Sequence, residues 1–145
     1  MPVVPFLLDD YSANNPTEFA FDYIADGIKY WYSFEATKEK IIRESLYHAP
    51  KGQKALVFSR EQQKFNFTED KARRKLISET VAENQLFFSV ACTMNDAVCT
   101  KAMKWFREDI FFPRDCTDIP QQLLEYSGDS NMLNAISDYA KTADF

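Results

Sequence analysis

The stretch FAFDYIADGIKYWYSF, residues 19–34, decides the fold of this 145-residue chain. Aromatic side chains recur at alternate positions on both sides of Asp26-Gly27, which is the period of a half-buried β-strand. Asp-Gly tolerates the positive φ angles of a two-residue hairpin turn. With Asp26 and Gly27 as the loop, the aromatic cross-strand pairs all fall on one face of the sheet. These pairs are Tyr23 with Tyr30, Phe21 with Tyr32 and Phe19 with Phe34.

Three further strands are predicted to extend this hairpin into an antiparallel meander of about five strands. They run over about 40–48, 55–60 and 64–67, and the turn Pro50-Lys51-Gly52 separates the first two. Strict alternation places Leu56 and Phe58 on one face of the fourth strand and Ala55 and Val57 on the other. Such a meander needs one face covered to be stable.

The second half of the chain changes to helical spacing. Thr68 is predicted to cap a helix from Glu69 to about Glu83. Residues 84–92 are short and apolar, and they are compatible with either a buried strand or part of a helix. A helix over roughly 95–108 is predicted from one apolar stripe. The stripe consists of Met94, Val98, Ala102, Trp105 and Phe106.

Two further helices fit residues 119–127 and 130–142, and Ile110–Phe112 is predicted as a short buried strand or connector. The layout is therefore α+β, with an N-terminal antiparallel β-meander followed by about four helices. We expect one domain over 1–145, with the meander at about 17–67 and a mainly helical part at 68–145.

The composition describes a globular domain and excludes several classes. The chain is 46% hydrophobic and 15% aromatic, and this composition argues against intrinsic disorder. A net charge of −5 argues against a nucleic-acid interface built on bulk positive charge. No stretch approaches the roughly 20 apolar residues of a membrane span, and no basic region precedes the N-terminal apolar residues. We therefore expect a cytoplasmic protein.

Metal binding and nucleophilic catalysis find little support in the residues. Cys92, Cys99 and Cys116 form no CxxC pair, so free thiols in or near the core are favoured over a zinc site. His48 is the only imidazole, and we interpret it as an edge-strand or interface histidine rather than as a base. Acidic pairs occur beside predicted element ends, where capping or solvation explains them. They are Asp9-Asp10, Glu69-Asp70 and Glu108-Asp109.

Three other groups of residues have ordinary structural interpretations. The segment Pro50-Lys51-Gly52-Gln53-Lys54 lacks the first glycine and the Ser/Thr of a Walker A loop and is predicted to be a turn. Alternation places Trp31 on the opposite face from its tyrosine neighbours, which favours sheet packing over base stacking. A basic cluster in the first downstream helix is interpreted as a solvated face, with a contact to phosphate or an acidic partner as the alternative. It consists of Lys71, Arg73, Arg74 and Lys75.

Three stretches together resemble a family of prokaryotic AAA-type, ABC-like ATPases related to RecF and to the OLD (overcoming lysogenisation defect) proteins. The first combines a Pro-Phe-x-Leu-Asp start, a DG-x-x-Y-x-Y-x-F hairpin and an I-x-x-E-x-L-Y strand. The second, PKGQKALVFSREQQKFNF, resembles the hairpin that follows in that family. The third, ENQLFFSVACTMND, resembles an N-x-L-F-L-S-x-A-A-Q-x-N segment. The matches are Pro5, Phe6, Leu8, Asp9, Asp26, Gly27, Tyr30, Tyr32, Phe34, Ile41 or Ile42, Glu44, Leu46 and Tyr47, then Phe58, Arg60 and Glu61.

The resemblance covers about residues 5–112 and implies a particular role. In the family, Walker A precedes the Pro-Phe-x-Leu-Asp start, while the signature segment and Walker B follow the region matched here. Thr93 stands where the family has a glutamine that corresponds to a Q-loop, so it is the one weak cofactor-contact candidate. The resemblance therefore implies a non-catalytic middle module or truncated form of an ATP-binding protein, not expected to hydrolyse ATP alone.

The expected cofactors and partners follow from that reading. ATP and Mg²⁺ are expected only for a full-length family member, and we expect no catalytic residue, metal or cofactor in this chain. A sheet that packs against the rest of an ATPase is expected to leave an apolar face uncovered. This predicts a protein partner or self-association as a dimer, no membrane, and nucleic acid only through the parent ATPase. The alternative is a stand-alone protein-interaction or self-associating module.

Overall fold

Five consecutive antiparallel strands form a meander in which each strand pairs with the next along the chain. The computed structural model describes residues 15–110 and 128–142. Within them the strands run in the spatial order β1-β2-β3-β4-β5. Their bounds are Thr17–Ala25 (β1), Ile28–Ala36 (β2), Ile41–His48 (β3), Ala55–Glu61 (β4) and Lys64–Phe67 (β5). The predicted α+β fold is confirmed.

The first hairpin has the predicted register. Tyr23 is paired with Tyr30, Phe21 with Tyr32 and Phe19 with Phe34, and the Phe19 and Phe34 rings stack with 4.6 Å between their centroids. Asp26 and Gly27 have φ angles of 49° and 75°. Two consecutive positive φ angles match the twist of the strands that they connect.

A β-bulge between β3 and β4 interrupts the alternation that was predicted for the fourth strand. Leu46 is paired with Phe58 whereas Tyr47 is paired with Leu56, so Val57 is the extra residue. Val57 and Phe58 are consequently both buried. The prediction that these two side chains lie on opposite faces was wrong, because period-2 alternation holds only in an unbroken ladder.

Helices follow the sheet in the described residues. They are α1 (Lys71–Ser78), α2 (Phe87–Thr93), α3 (Ala97–Lys104) and α4 (Ser130–Thr142), and a π-helical turn, Trp105–Asp109, continues α3. The uncertain segment 84–92 is therefore mostly helix, and the prediction of a helix over 130–142 is confirmed. Phe111, Phe112, Cys116 and the predicted helix 119–127 lie outside the described residues, as do the residues of the Pro-Phe-x-Leu-Asp start.

The predicted helix from Glu69 to Glu83 is too long at both ends. Asp70, not Thr68, is the residue that precedes α1, and the Thr68 hydroxyl donates instead to the Leu56 carbonyl. At the other end, Arg60 takes the carbonyls of Ala82, Glu83 and Gln85 as acceptors. These carbonyls belong to a loop because a buried guanidinium binds them in place of helical N–H groups.

The predicted helix over 95–108 begins later than expected, at Ala97, and changes from α-helical to π-helical geometry at Trp105. Asn95 has a φ of 57°, and Asp96 caps α3 by accepting from the N–H groups of Val98 and Cys99. Met94 was wrongly placed on the apolar stripe, since it follows the last residue of α2 and is 45% exposed. Ala102 is buried and Val98, Trp105 and Phe106 are half-buried, in agreement with the rest of the stripe.

The aromatic face of the sheet forms the core together with α2, α3 and the π-helical turn. Tyr23 stacks on Trp105 with 4.7 Å between centroids, while Phe58 contacts Phe87 at 4.7 Å and Tyr32 contacts Phe88 at 4.5 Å. The chain divides into two compact units, one that ends at Asp109 and one that begins at Ile110. The described part of the second unit is α4.

Substitution at Gly27 is expected to destabilise the hairpin selectively. In Gly27→Val a β-branched side chain is forced to φ near 75°, which costs about 1–3 kcal/mol. Chemical denaturation measures the change in the free energy of unfolding. Gly27→Asn is the matched control, because Asn adopts positive φ readily and is expected to cost much less. Equal losses in both variants would contradict the assigned turn.

Candidate functional site

The carboxylate of Glu44 joins the sheet to the start of α2. Its side chain lies on the core face of β3 and is 1% exposed. The backbone N–H of Phe87 donates to Oε2 at 2.8 Å, and that of Phe88 donates to Oε1 at 2.9 Å. The Tyr32 hydroxyl donates to Oε1 at 3.1 Å. A carboxylate from another element thus satisfies N–H groups that the first turn of a helix leaves free.

Arg60 provides the positive charge that pairs with Glu44, and we call the two side chains with their backbone partners the Glu44–Arg60 centre. Arg60 lies directly across from Glu44 in the β3–β4 ladder, with Nη1 3.7 Å from Oε2 and both side chains fully buried. The guanidinium also donates to four backbone carbonyls of the chain between β4 and α2. These belong to Gln62 (2.5 Å), Gln85 (2.5 Å), Glu83 (3.3 Å) and Ala82 (3.4 Å).

Burial sets the acid–base behaviour of these groups. It raises the pKa of Glu44, although the N–H groups of Phe88 and Phe87 and the charge of Arg60 act in the opposite direction. Burial raises the pKa of Tyr32 well above its usual value, and neighbouring Glu44 adds to the effect. Tyr32 therefore remains a hydrogen-bond donor, and the centre is a closed structural network.

Arg74 and Asp96 form a second buried ion pair. Arg74 Nε and Nη2 donate to the two oxygens of Asp96 at 2.9 and 3.2 Å, a bidentate geometry that favours strength and fixed orientation. Arg74 Nη1 also donates to the carbonyls of Val57 and Glu69. Because Asp96 in turn caps α3, one guanidinium connects β4, α1 and α3.

The charges of this second pair stabilise one another. Burial disfavours the ionised form of Asp96, but its hydrogen bonds from Arg74 and from the Cys99 N–H lower its pKa below the ordinary value. Burial likewise opposes the charge of Arg74, yet the hydrogen bonds to Asp96 raise its pKa above the usual value. Both groups are therefore ionised at neutral pH.

The basic cluster of α1 is exposed, as predicted, except at Arg74. Arg74 is 1% exposed, and Arg73 Nη2 donates to the carbonyls of Met94 and Asn95 at 2.9 Å each. The prediction of a solvated basic face was wrong for Arg74, because a single sequence does not reveal its partner on a distant loop. Lys71 and Lys75 are exposed.

The predicted thiols and imidazole lie in the core rather than in a reactive site. Cys92 and Cys99 are free and buried, and burial raises the pKa of the Cys92 thiol to about 12. His48 lies on the central strand β3, so its interpretation as an edge-strand residue was wrong. Burial lowers its pKa, and its ring lies 6.3 Å from that of Tyr30.

The remaining candidate residues do not assemble a chemical site. Thr93 is exposed at the end of α2, and its hydroxyl donates back to the Ser89 carbonyl at 3.1 Å. Glu69 and Asp70 are exposed beside α1. Across residues 15–110 and 128–142, no three His, Cys, Asp or Glu side chains are grouped so as to hold a metal ion.

The other surface of the sheet, which we call the open face, carries polar and aromatic side chains in rows across the strands. A serine row, Ser33, Ser45 and Ser59, crosses the three central strands. A row of mixed charge lies beside it. It contains Glu18, Glu35, Arg43, Glu61 and Lys64. An open, shallow groove of about 440 Å³ lies at this end of the sheet and is lined by Arg43, Ser59, Arg60, Glu61, Lys64, Phe65 and Asn66.

The opposite end of the open face is aromatic and cationic. Lys29 and Lys54 lie 4.8 and 4.7 Å from the centroid of Trp31, and Lys54 lies 4.7 Å from that of Tyr47. Such cation–π contacts stabilise exposed sites by roughly 0.5–1 kcal/mol. The open face thus offers contact area and charge.

Comparison with known proteins gives no match: no family model, no curated protein and no solved structure resembles the chain significantly. Within residues 15–110 and 128–142, no helix combines the length and apolar content needed to cross a bilayer.

Sequence reasoning did not single out the four buried charges as a structural network. A signal for two of them was present, because alternate residues of a strand lie on the same face. Glu44 is two residues from Leu46 on β3, and Arg60 is two residues from Phe58 on β4. Asp96 precedes a helical stripe, where an N-cap residue is expected. Glu44 and Arg60 are 16 positions apart in the sequence, and Arg74 and Asp96 are 22 positions apart. Pairing over such separations is not visible in one sequence.

Glu44→Gln is expected to lower the free energy of unfolding by about 3–5 kcal/mol. The substitution leaves Arg60 buried without its counter-charge, and an amide cannot accept from both Phe87 and Phe88 while keeping its NH₂ group satisfied. Urea denaturation measures the loss. Glu61→Gln, on the exposed end of β4, is the control and is expected to change stability by less than about 0.5 kcal/mol.

Asp96→Asn is expected to destabilise the protein most at neutral pH. Because the folded state lowers the pKa of Asp96, its carboxylate contributes stability above its unfolded pKa of about 3.9. That contribution is lost as the pH falls through the folded pKa. The difference between wild type and variant, measured by denaturation, is therefore expected to shrink from about pH 5 downward. Glu79→Gln is the exposed control, and a difference that grows in acid would contradict the assignment.

Proposed function

We propose that this chain is a non-catalytic middle module, or a truncated form, of an ABC-like ATP-binding protein related to RecF and OLD proteins. The observation that supports the proposal is the meeting of its three family-like stretches. Glu44 belongs to the first stretch and Arg60 to the second. Phe87 and Phe88, whose N–H groups bind Glu44, belong to the third.

This convergence gives the residue pattern a physical reason. The acidic residue of I-x-x-E-x-L-Y and the arginine of the next hairpin are placed across from each other, and both bind the backbone around N-x-L-F-L-S. The three segments therefore belong to one structural unit of this chain, and this is the support that the structure lends to the proposal.

The proposed module is a structural part of a nucleotide-binding protein rather than its catalytic centre. ATP and Mg²⁺ are bound by the P-loop and Walker B segments of a full-length member, and the present chain supplies a sheet and helices beside them. Thr93 is at most a peripheral contact in this proposal, since its hydroxyl already has an intrahelical acceptor.

Calorimetric titration with a non-hydrolysable ATP analogue and Mg²⁺ tests the proposal. The chain alone is expected to give no saturable binding, because the groove with the cations Arg43 and Lys64 is open and shallow. Saturable binding with a Kd at or below about 1 mM would contradict the proposal. The matched variants Arg43→Ala and Lys64→Ala, compared with Lys75→Ala on α1, would then locate the bound triphosphate.

A stand-alone interaction module is the second candidate, favoured by exposed apolar groups on the sheet. Ile24 is 63% exposed on β1, and Trp31 and Tyr47 are half-buried on the open face. These groups suit a protein partner or a second copy of the chain better than a small molecule. Size in solution distinguishes this candidate: a dimer in sedimentation velocity would favour self-association, and a monomer at every concentration would count against it.

A further inference from the structure

The cationic and aromatic end of the open face spans four neighbouring strands, and we call it the Trp31 patch. The ladders place Trp31 of β2 beside Tyr47 of β3, and Tyr47 beside Leu56 of β4. Ile24 of β1 lies across from Lys29 of β2 and is 63% exposed. The patch therefore combines apolar contact area with positive charge. Its members are Ile24, Lys29, Trp31, Tyr47, Lys54 and Leu56.

Both lysines of the Trp31 patch converge on one indole. The Nζ atoms of Lys29 and Lys54 lie 4.8 and 4.7 Å from the Trp31 centroid, and Lys54 Nζ also lies 4.7 Å from the centroid of Tyr47. An ammonium group on an aromatic face keeps N–H donors directed away from the ring. The two rings thus hold two cationic donors together and restrict side chains that are otherwise rich in rotamers.

Within residues 15–110 and 128–142, no carboxylate forms an ion pair with either of these lysines. Asp22 is paired with Trp31 in the β1–β2 ladder, yet it forms no ion pair with Lys29 or Lys54. The cations that do form ion pairs there are Arg43, Arg60, Arg74, Lys104 and Lys141. Two like charges beside one ring, in a chain of net charge −5, favour an anionic group of a ligand as their partner.

The surroundings of the Trp31 patch favour a peptide over a nucleic-acid strand as the ligand. Asp22 adjoins Trp31, and Glu18 lies across from Glu35 further along the same two strands. A nucleic-acid strand needs cations along its whole path, and on this face it would meet these carboxylates. A small molecule suits a concave site, whereas the patch is a strand face. An extended peptide with a few carboxylates among apolar side chains matches both the lysines and the apolar members of the patch.

We propose that the Trp31 patch binds an acidic peptide segment of a partner protein, whose carboxylate is received by Lys29 and Lys54 and whose adjacent apolar side chain packs on the rest of the patch. The proposal specifies the ligand of the interaction-module candidate, on which it rests. It is independent of the ATP-binding proposal. Failure of peptide binding would leave the nucleotide titration unaffected, because Arg43 and Lys64 lie at the other end of the open face.

A peptide titration followed by ¹H–¹⁵N NMR spectroscopy tests the proposal through the indole N–H signals of Trp31 and Trp105. The probe is the blocked peptide Ser-Asp-Leu-Glu-Phe-Asp-Ser, and its control is Ser-Asn-Leu-Gln-Phe-Asn-Ser, in which amides replace the carboxylates. The acidic peptide is expected to shift the Trp31 signal saturably, with a Kd of about 0.1–1 mM. The signal of Trp105, which stacks on Tyr23, is expected to stay in place, and Trp31→Phe assigns the two signals. The neutral peptide is expected to bind about 5-fold more weakly or less.

Charge variants locate the binding. Lys29→Gln and Lys54→Gln each remove one cation and are each expected to raise the Kd of the acidic peptide about 2- to 5-fold. Sodium chloride at about 0.5 M is expected to raise the Kd in the same direction, because salt screens exposed charges. Lys75→Gln, at an exposed position of α1, is the matched control and is expected to leave the Kd unchanged. Circular dichroism with urea denaturation checks that all variants fold.

Three results would overturn the proposal. The first is the absence of a saturable shift of the Trp31 signal at peptide concentrations up to about 10 mM. The second is equal binding of the neutral peptide, or an unchanged Kd in both Lys29→Gln and Lys54→Gln, since the ligand would then not be recognised by its charge. The third is binding of an oligothymidylate with a lower Kd than the peptide and the same dependence on the two lysines, which would identify the ligand as nucleic acid instead.

Discussion

The rest of the structure depends on the carboxylate of Glu44, held between a strand and a helix. Its hydrogen bonds from Phe87 and Phe88 set where α2 begins, and its pairing with Arg60 fixes the loop whose carbonyls the guanidinium binds. A buried ion pair is costly to desolvate, and removing one partner leaves an uncompensated charge in the core. The packing of α2 on the sheet is therefore a single arrangement, with little room for a shifted helix start.

The Arg74–Asp96 pair performs the same task at the other side of the core. It connects β4, α1 and α3 through one guanidinium and one capping carboxylate. Two buried pairs thus orient three short helices of seven or eight residues. Helices of this length are marginal by themselves, since helix formation has a costly nucleus. Tertiary charge pairs and caps supply the orientation that intrinsic helix propensity cannot.

The functional interpretation follows from this use of charge. The four buried charged side chains Glu44, Arg60, Arg74 and Asp96 are engaged with one another and with backbone, and the buried thiols have raised pKa values. Within the described residues, the sheet presents an open face with a serine row and a cation–aromatic end. Surfaces of this kind bind other polypeptide or a neighbouring domain. Both the middle-module proposal and the interaction-module candidate place the function in association.

The sequence by itself determined the hairpin, its register, the meander and the position of α4, because these depend on local period and on Asp-Gly turn chemistry. It did not determine the bulge at Val57, which interrupts the alternation on which strand assignment relies. It also did not determine the helical state of 84–92 or the ends of α1 and α3. Those were decided by the tertiary structure, because the groups that satisfy the backbone there, Glu44, Arg60 and Asp96, act through contacts distant in sequence.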